Sequence, residues 1–278
     1  MICKFEYHKL KRSHRPFYSM LSIILYLFFI LFGFYTYAQT QTGGQVNFRY
    51  TFENRSYFNG LTFALYAFYF AVMMVLPIFA ATEGGAQVAG ETHNRTLYLM
   101  LARPLSRSQI FFSKLFVSFS YLFFLVGYLL AFALLTGLVF VGWGTLNLYP
   151  GVLQMSHVHQ SLSQSEALNS FACAWVLASV ALSAPLALSF LLSTWIRNPL
   201  NAVSTSIALY LILYVMSEIH FFVKLRPYFF TSYMGFWREA FREEILWGQI
   251  FQDGAKILAF TFVFLALAYR RFRLREEI

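Results

Sequence analysis

Six stretches of this chain are long and apolar enough to cross a bilayer, and no other feature limits the fold so tightly. A hydrocarbon core needs about 20 predominantly apolar residues per helix. In lipid, every backbone polar group must also be satisfied internally, so open runs of this length become helices. Residues 17–38, 60–81, 115–141, 167–195, 200–217 and about 254–269 meet that length. Composition agrees, with 59% hydrophobic, 21% aromatic and 12% charged residues, against about 25% charged in soluble domains. The expected fold class is all-α integral membrane, a single transmembrane domain over residues 1–278 with no linker rich in Pro, Gly or Ser. The first run follows a basic segment, MICKFEYHKLKRSHR. A secretory signal core is about 7–15 residues long and ends in a small-residue cleavage site; this run is longer and has no clear site, so it reads as a permanent helix.

Lysine and arginine favour cytoplasmic segments. With six spans and both termini inside, one side receives Lys4, Lys9, Lys11, Arg12, Arg15, Arg95, Arg103, Arg107, Lys114, Arg197, Arg270, Arg271, Arg273 and Arg275. The other receives Arg49, Arg55, Lys224, Arg226, Arg238, Arg242 and Lys256, balanced by an equal number of acidic residues. The formal charge of +9 therefore lies on the inner side. Basicity here is a topology signal; it is dispersed over short loops, so no nucleic-acid partner is expected.

Energy and chemistry must come from elsewhere. No phosphate-binding G-x-x-x-x-G-K-[S/T] loop occurs, GQIFQDGAK having the wrong spacing, and neither H-E-x-x-H nor G-x-S-x-G is present. Cys3 and Cys173 are too distant in the topology to pair. His157 and His159 alternate with Met155 in an outer loop and are weak metal candidates, two imidazoles lacking a third ligand. By the span boundaries above, acidic residues are absent from the spans except Glu218 at an edge, which argues against an ion-coupled carrier. The spans carry hydroxyls instead. They serve chiefly as hydrogen-bonding contacts between helices, with Ser179, Ser183, Ser204 and Thr205 as candidates for lining a pathway.

One segment, VAGETHNRTLYLMLARPLSRSQIFFSK from Val88 to Lys114, breaks the apolar pattern. Gly84, Gly85 and Gly90 are expected to end the second span and redirect the chain. Glu91 to Arg95 would then start a short helix, apolar on every side from Thr96 to Ala102. A helix of that kind is buried, yet two turns cannot span, so it must contact something absent from this chain. Arg103-Pro104 ends it, and S-x-x-Q at Ser106 to Gln109 is a capping box that restarts the chain as the third span. The segment reads as a cytoplasmic elbow over residues 83–110.

At these residues the chain resembles the ABC-2-type permeases, the membrane subunits of ATP-binding-cassette exporters. Their elbow reads approximately E-x-x-x-G-T-L-x-x-L-L-x-x-P-x-S-R-x-x-I-x-x-x-K. Glu91, Thr96, Leu97, Leu101, Pro104, Ser106, Arg107, Ile110 and Lys114 match, while Arg95 replaces a glycine and Met100 a leucine. The basic interfacial segment at 1–16, the six spans, the aromatic outer segment and the basic tail also resemble the family. The resemblance implies a coupling helix, with Glu91, Arg95, Thr96, Leu97, Tyr98, Met100 and Leu101 meeting an ATPase and Arg103 and Arg107 at the ATPase or lipid-headgroup boundary. It implies two ABC ATPase subunits, a second permease chain in a homodimer or similar heterodimer, and contact with membrane lipid. The chain itself would be no enzyme and hold no cofactor; ATP and Mg would belong to the partner. The expected function is export across a bacterial cytoplasmic (inner) membrane by a multi-pass subunit. A membrane anchor or assembly factor without a transport cycle, or an ATP-independent channel or carrier, stands as the alternative.

The outer residues 220–253 contain SYMGFWREAFREEILWGQIFQD. Trp237, Phe241 and Ile245 at steps of four predict an interfacial amphipathic helix there, fit for gating or anchoring. The charge argument makes one prediction. Cysteines placed at Ser13, Ser108 and the C-terminal tail will be labelled only from the cytoplasm, and one at Ser163 only from outside; labelling of position 108 from outside eliminates the elbow assignment.

Overall fold

The computed structural model describes residues 2–42, 51–52, 55–56, 59–96, 106–148, 160–242 and 245–274. An 11-residue helix, α1 (Ile2–Arg12), is followed across Ser13 and His14 by α2 (Arg15–Thr42). Span 2 is composite: α3 (Gly60–Phe70), a π-helical turn (Ala71–Val75) and α4 (Leu76–His93). Span 3 is α5 (Arg107–Phe140). Span 4 divides into α6 (Gln164–Ala181) and α7 (Ser183–Trp195), span 5 is α8 (Pro199–Glu218) and span 6 is α9 (Trp247–Leu274). Two short antiparallel pairs occur, β1 (Thr51–Phe52) with β2 (Arg55–Ser56) and β3 (Leu146–Leu148) with β4 (Gln160–Leu162). Six helices are long and apolar enough to cross a membrane. The protein is an all-α integral membrane protein, and the two small strand pairs among the described residues lie outside the spans.

Helix starts follow local chemistry. Asn59 caps α3 through its side chain, Asn198 caps α8 ahead of Pro199, and Ser106 with Gln109 forms the capping box of α5 that its sequence predicts. Ser163 and Glu166 form a second box on α6. Each satisfies N–H groups that a helix start otherwise leaves without partners. With 34 residues, α5 is about 51 Å long at about 1.5 Å per residue, so it extends well beyond the hydrocarbon.

Spans 2 and 4 form the interior and spans 1, 5 and 6 remain mostly exposed. The two interior spans are joined through their small residues. Ser189 Oγ donates to the Ala80 carbonyl at 3.2 Å, and Ser193 Oγ accepts from the Val88 and Ala89 N–H groups, both at 2.9 Å. Gly84 lies at this seam, and Gly85 faces Val203 of α8. A Cβ on Gly84 would sit 2.1 Å from Ser189 Oγ and 2.7 Å from the Leu186 carbonyl oxygen; one on Gly85 would sit 2.9 Å from Val203 Cγ2. These glycines permit close approach. They do not break span 2 as expected from sequence, because α4 runs through Gly84, Gly85 and Gly90 to His93.

Both interior spans are interrupted at proline. Pro77 has no N–H to offer the Met73 carbonyl four residues earlier, and the ladder there shifts into the π turn. The buried Tyr210 hydroxyl of α8 donates to Met73 O at 2.5 Å. Pro185 likewise withholds an N–H from Ala181, and span 4, expected as one helix, breaks at Leu182.

The outer amphipathic helix expected over 232–253 is also revised. The chain forms 3₁₀ turns over His220–Tyr228 and Phe230–Phe241, and residues from Trp247 onward already belong to α9. Trp237 and Phe241 are fully buried against Phe68 and Phe171, with ring centroids 5.1 and 5.0 Å apart. The aromatics thus close the bundle's own core.

Gly84→Ala is expected to lower thermal stability by several degrees or abolish folding, since its neighbours are backbone and a buried hydroxyl. Gly90 has nothing within 4 Å of an added Cβ, so Gly90→Ala should be neutral or stabilising by up to about 1 kcal/mol. Equal damage from both in a thermal melt of purified protein would contradict the packing role.

Candidate functional site

At one end of the molecule α1, α4 and α5 converge on a fully buried ammonium. Lys114, in the third turn of α5, is 0% exposed. Its Nζ donates to Glu6 Oε1 of α1 at 2.8 Å and to Glu91 Oε1 of α4 at 2.5 Å. Lys9 of α1 also donates to Glu91 Oε1. Glu91 lies in the last turn of α4, where the helix dipole disfavours an anion, and the two ammonium groups offset that cost. Two turns back, Glu83 is buried too, accepting from Gln87 and from Ser118 Oγ at 3.3 Å, with Arg15 Nη1 at 3.9 Å. The acid-free spans expected from sequence are therefore corrected: with α4 unbroken, Glu83 and Glu91 belong to the span 2 helix.

Nor does Glu91 begin a new helix. The chain leaves α4 at Asn94, whose N–H is held by the Gly90 carbonyl at 3.0 Å, and turns at Arg95 with φ of +54°. That left-handed conformation favours glycine, and Arg95 adopts it with a side chain. Thr96 Oγ1 makes a long bond of 3.4 Å back to the Glu91 carbonyl. Leu97, Tyr98, Met100, Leu101, Arg103 and Pro104, named from sequence for ATPase coupling, lie outside the described residues. The chain resumes at Ser106.

On the resuming side, Arg107 Nη1 donates to the Arg273 carbonyl at 2.8 Å, and the Ser108 and Tyr269 hydroxyls are 2.7 Å apart. Beneath lies a second apolar cluster of Val88, Ile110, Phe111, Phe190, Leu191, Ala268 and Phe272, with Phe111 ringed by Phe190 and Phe272 at 5.2 and 5.7 Å. One root of the elbow is thus set in a charge cluster and the other in aromatic packing. Two of the described elbow residues, Glu91 and Arg107, take part in fixing these roots; Arg95 and Thr96 form the turn between.

The structure separates the hydroxyls proposed for a pathway. Ser179 and Ser183 line a lateral groove of about 500 Å³ between α5, α6 and α9, with Ser183 bonded to Thr261 at 2.8 Å. Ser204 and Thr205 are exposed on α8 and do not line that groove. Among the described residues no cluster of His, Cys, Asp and Glu could hold a metal; His157 and His159 lie outside them.

Sequence reasoning overlooked Glu6, Lys9 and Glu83. For Glu83 the signal was its spacing of eight from Glu91, within one side of a helix, once the glycines between are not read as breaks; for Glu6 and Lys9 the docking of α1 had to be seen.

Removing one member of a buried ion group costs about 3–5 kcal/mol because the rest stay uncompensated. Lys114→Met should therefore destabilise the protein severely, and the triple variant Lys114→Met, Glu6→Gln, Glu91→Gln should recover much of the loss in a denaturation series. A triple variant no more stable than the single one would show that the charges are not coupled.

Compared with known proteins, the chain has no significant match among curated ones. The family profile described as ABC-2 family transporter protein matches residues 2–197, which takes in α1, the charge cluster, the elbow and spans 1 to 4. The chain belongs to the ABC-2 transporter family and is a multi-pass membrane permease component of an ABC transporter.

Proposed function

We propose that this permease exports its substrate and is driven through residues 97–105, which dock as a coupling helix in a separate ATPase. In this reading both termini and the elbow face the cytoplasm, and Leu97 and Leu101 press on the ATPase with Tyr98 and Met100 beside them. Arg95 and Thr96 set the direction of the helix. Pro104 ends it, while Arg103 and Arg107 lie at the rim. Two ATPase subunits carry ATP and Mg, and a second permease chain, identical or similar, completes the pathway.

The observation that carries the reading is the anchoring of both elbow roots. A segment that must transmit force needs fixed ends, and here one end is bound through Lys114 to three helices while the other rests on the Phe111 cluster. Pairing is supported by α8, which exposes Asn201, Ser204 and Thr205 within a membrane-spanning segment. Small and polar residues of this kind are characteristic of helix interfaces in lipid.

The test is Leu97→Asp with Leu101→Asp. Leucines four apart share a face, and burying each contributes about 1.5–3 kcal/mol, so the double variant should weaken ATPase association by at least about a hundredfold. Insertion should persist, and Ser161→Asp in β4 should leave assembly unchanged. Undiminished ATPase binding and transport by the double variant would refute the coupling role.

A further inference from the structure

Helix α1 has two faces. Glu6, Leu10 and Ser13 turn toward the bundle, and Lys9 is tied to Glu91. On the other side Lys4, His8, Lys11 and Arg12 are all exposed. At about 3.6 residues per turn they share a stripe about 100° wide, with Glu6 roughly opposite. Among the described residues none of these four forms an ion pair. His8, Lys11 and Arg12 wall a shallow hollow. Phe5 and Tyr7, 50% and 57% exposed, occupy the two shoulders of the stripe, and Phe17 and Tyr18 are 63% and 61% exposed just beyond, at the foot of span 1.

We infer that the outer face of α1 binds the phosphates of anionic phospholipid headgroups. Three cations with a histidine among them and no ion pair of their own favour an anionic occupant, and the aromatic shoulders choose between the anions on offer. Exposed aromatic rings beside a basic face suit the headgroup region, where the rings enter the acyl boundary and the cations stay at phosphate level. Only Ser13 and His14 separate α1 from α2, which holds the stripe at the bilayer boundary. An acidic protein surface would match the charge alone.

The opposite face gives this contact a consequence. Glu6 is one of the two carboxylates that hold Lys114, and Glu91 at the elbow root is the other. Headgroup charge pulling on α1 therefore acts on the elbow root, a step that rests on the coupling reading above.

The experiment uses the full-length chain in micelles offered phosphatidylglycerol or phosphatidylcholine, with retained lipid counted by native mass spectrometry. Each Lys or Arg near an anionic surface contributes about fivefold, so neutralising Lys4, Lys11 and Arg12 together with His8 to Gln should reduce the preference for phosphatidylglycerol on the order of a hundredfold. Raising the salt should weaken the wild-type preference. Exchange of Lys4 and Lys11 to Arg and of Arg12 to Lys should preserve it, and Arg270→Gln with Arg271→Gln at the same end of the molecule should reduce it far less than the α1 variant does. Inorganic phosphate at matched ionic strength should not displace the lipid. The proposal is overturned if the neutralised variant keeps its preference, if the Arg270 and Arg271 control loses as much, if inorganic phosphate competes, or if the variant keeps its lipid and instead loses the ATPase. A separate measurement covers the elbow: ATPase stimulation of the assembled transporter should depend on phosphatidylglycerol in wild type and not in the neutralised variant. Lipid selectivity without such dependence would leave the headgroup site standing and remove its link to coupling.

Discussion

A lysine with no solvent exposure cannot exist without partners, and the geometry around Lys114 follows from that requirement. Moving an ammonium group out of water carries a desolvation cost of several kcal/mol even after relaxation. Glu6 and Glu91 offset it only if α1 lies against α5 and α4 ends beside both. One interaction thereby fixes where the amphipathic helix docks, where span 2 stops and which way the chain leaves toward residue 97. Arg95, just past that helix end, adopts a left-handed conformation that residues with a side chain disfavour.

The same logic of satisfied polar groups governs the interior. Pro77 and Pro185 each delete a donor where water is excluded, and the protein answers differently in the two places. At Pro77 the helix continues through a π turn and borrows a hydroxyl from Tyr210. At Pro185 the helix stops at Leu182 and restarts, with Ser183 bonded to Thr261 across to α9. The glycine and serine seam lets the two interrupted spans lie against each other closely enough to exchange hydrogen bonds.

Much of this was legible in the sequence. Hydropathy located six spans, S-x-x-Q announced the start of α5, and the pattern from Glu91 to Lys114 identified the family. The failures share one cause: residues were assigned by local habit where tertiary contact decided. Glycines that read as a turn at 84, 85 and 90 are helical, two of them because a neighbouring helix approaches closely. Trp237 and Phe241, spaced for a membrane-surface helix, turn inward because a core pocket is open to them. Glu6 and Glu83 drew no attention since a carboxylate near a span reads as loop until the helix is known to continue. Prolines 77 and 185 were visible in the spans, yet which partner would satisfy the freed carbonyls depended on helix neighbours that one sequence does not disclose.

The seam between spans 2 and 4 also has a mechanical meaning. Ser193 meets Val88 across an offset of 105 residues, and at that offset Pro77 stands level with Leu182. Two parallel helices are therefore weakened at one depth and fused below it, where Gly84, Ser189 and Ser193 join α4 and α7. Above that depth they separate, α3 lying along α5 and α6 along the 3₁₀ segment. The lower halves are joined as one unit that ends at an elbow root, and both helices are interrupted at the level of Pro77 and Leu182. Under the coupling reading proposed above, motion of the elbow would reach both interior spans together, at a depth where both helices depart from regular geometry.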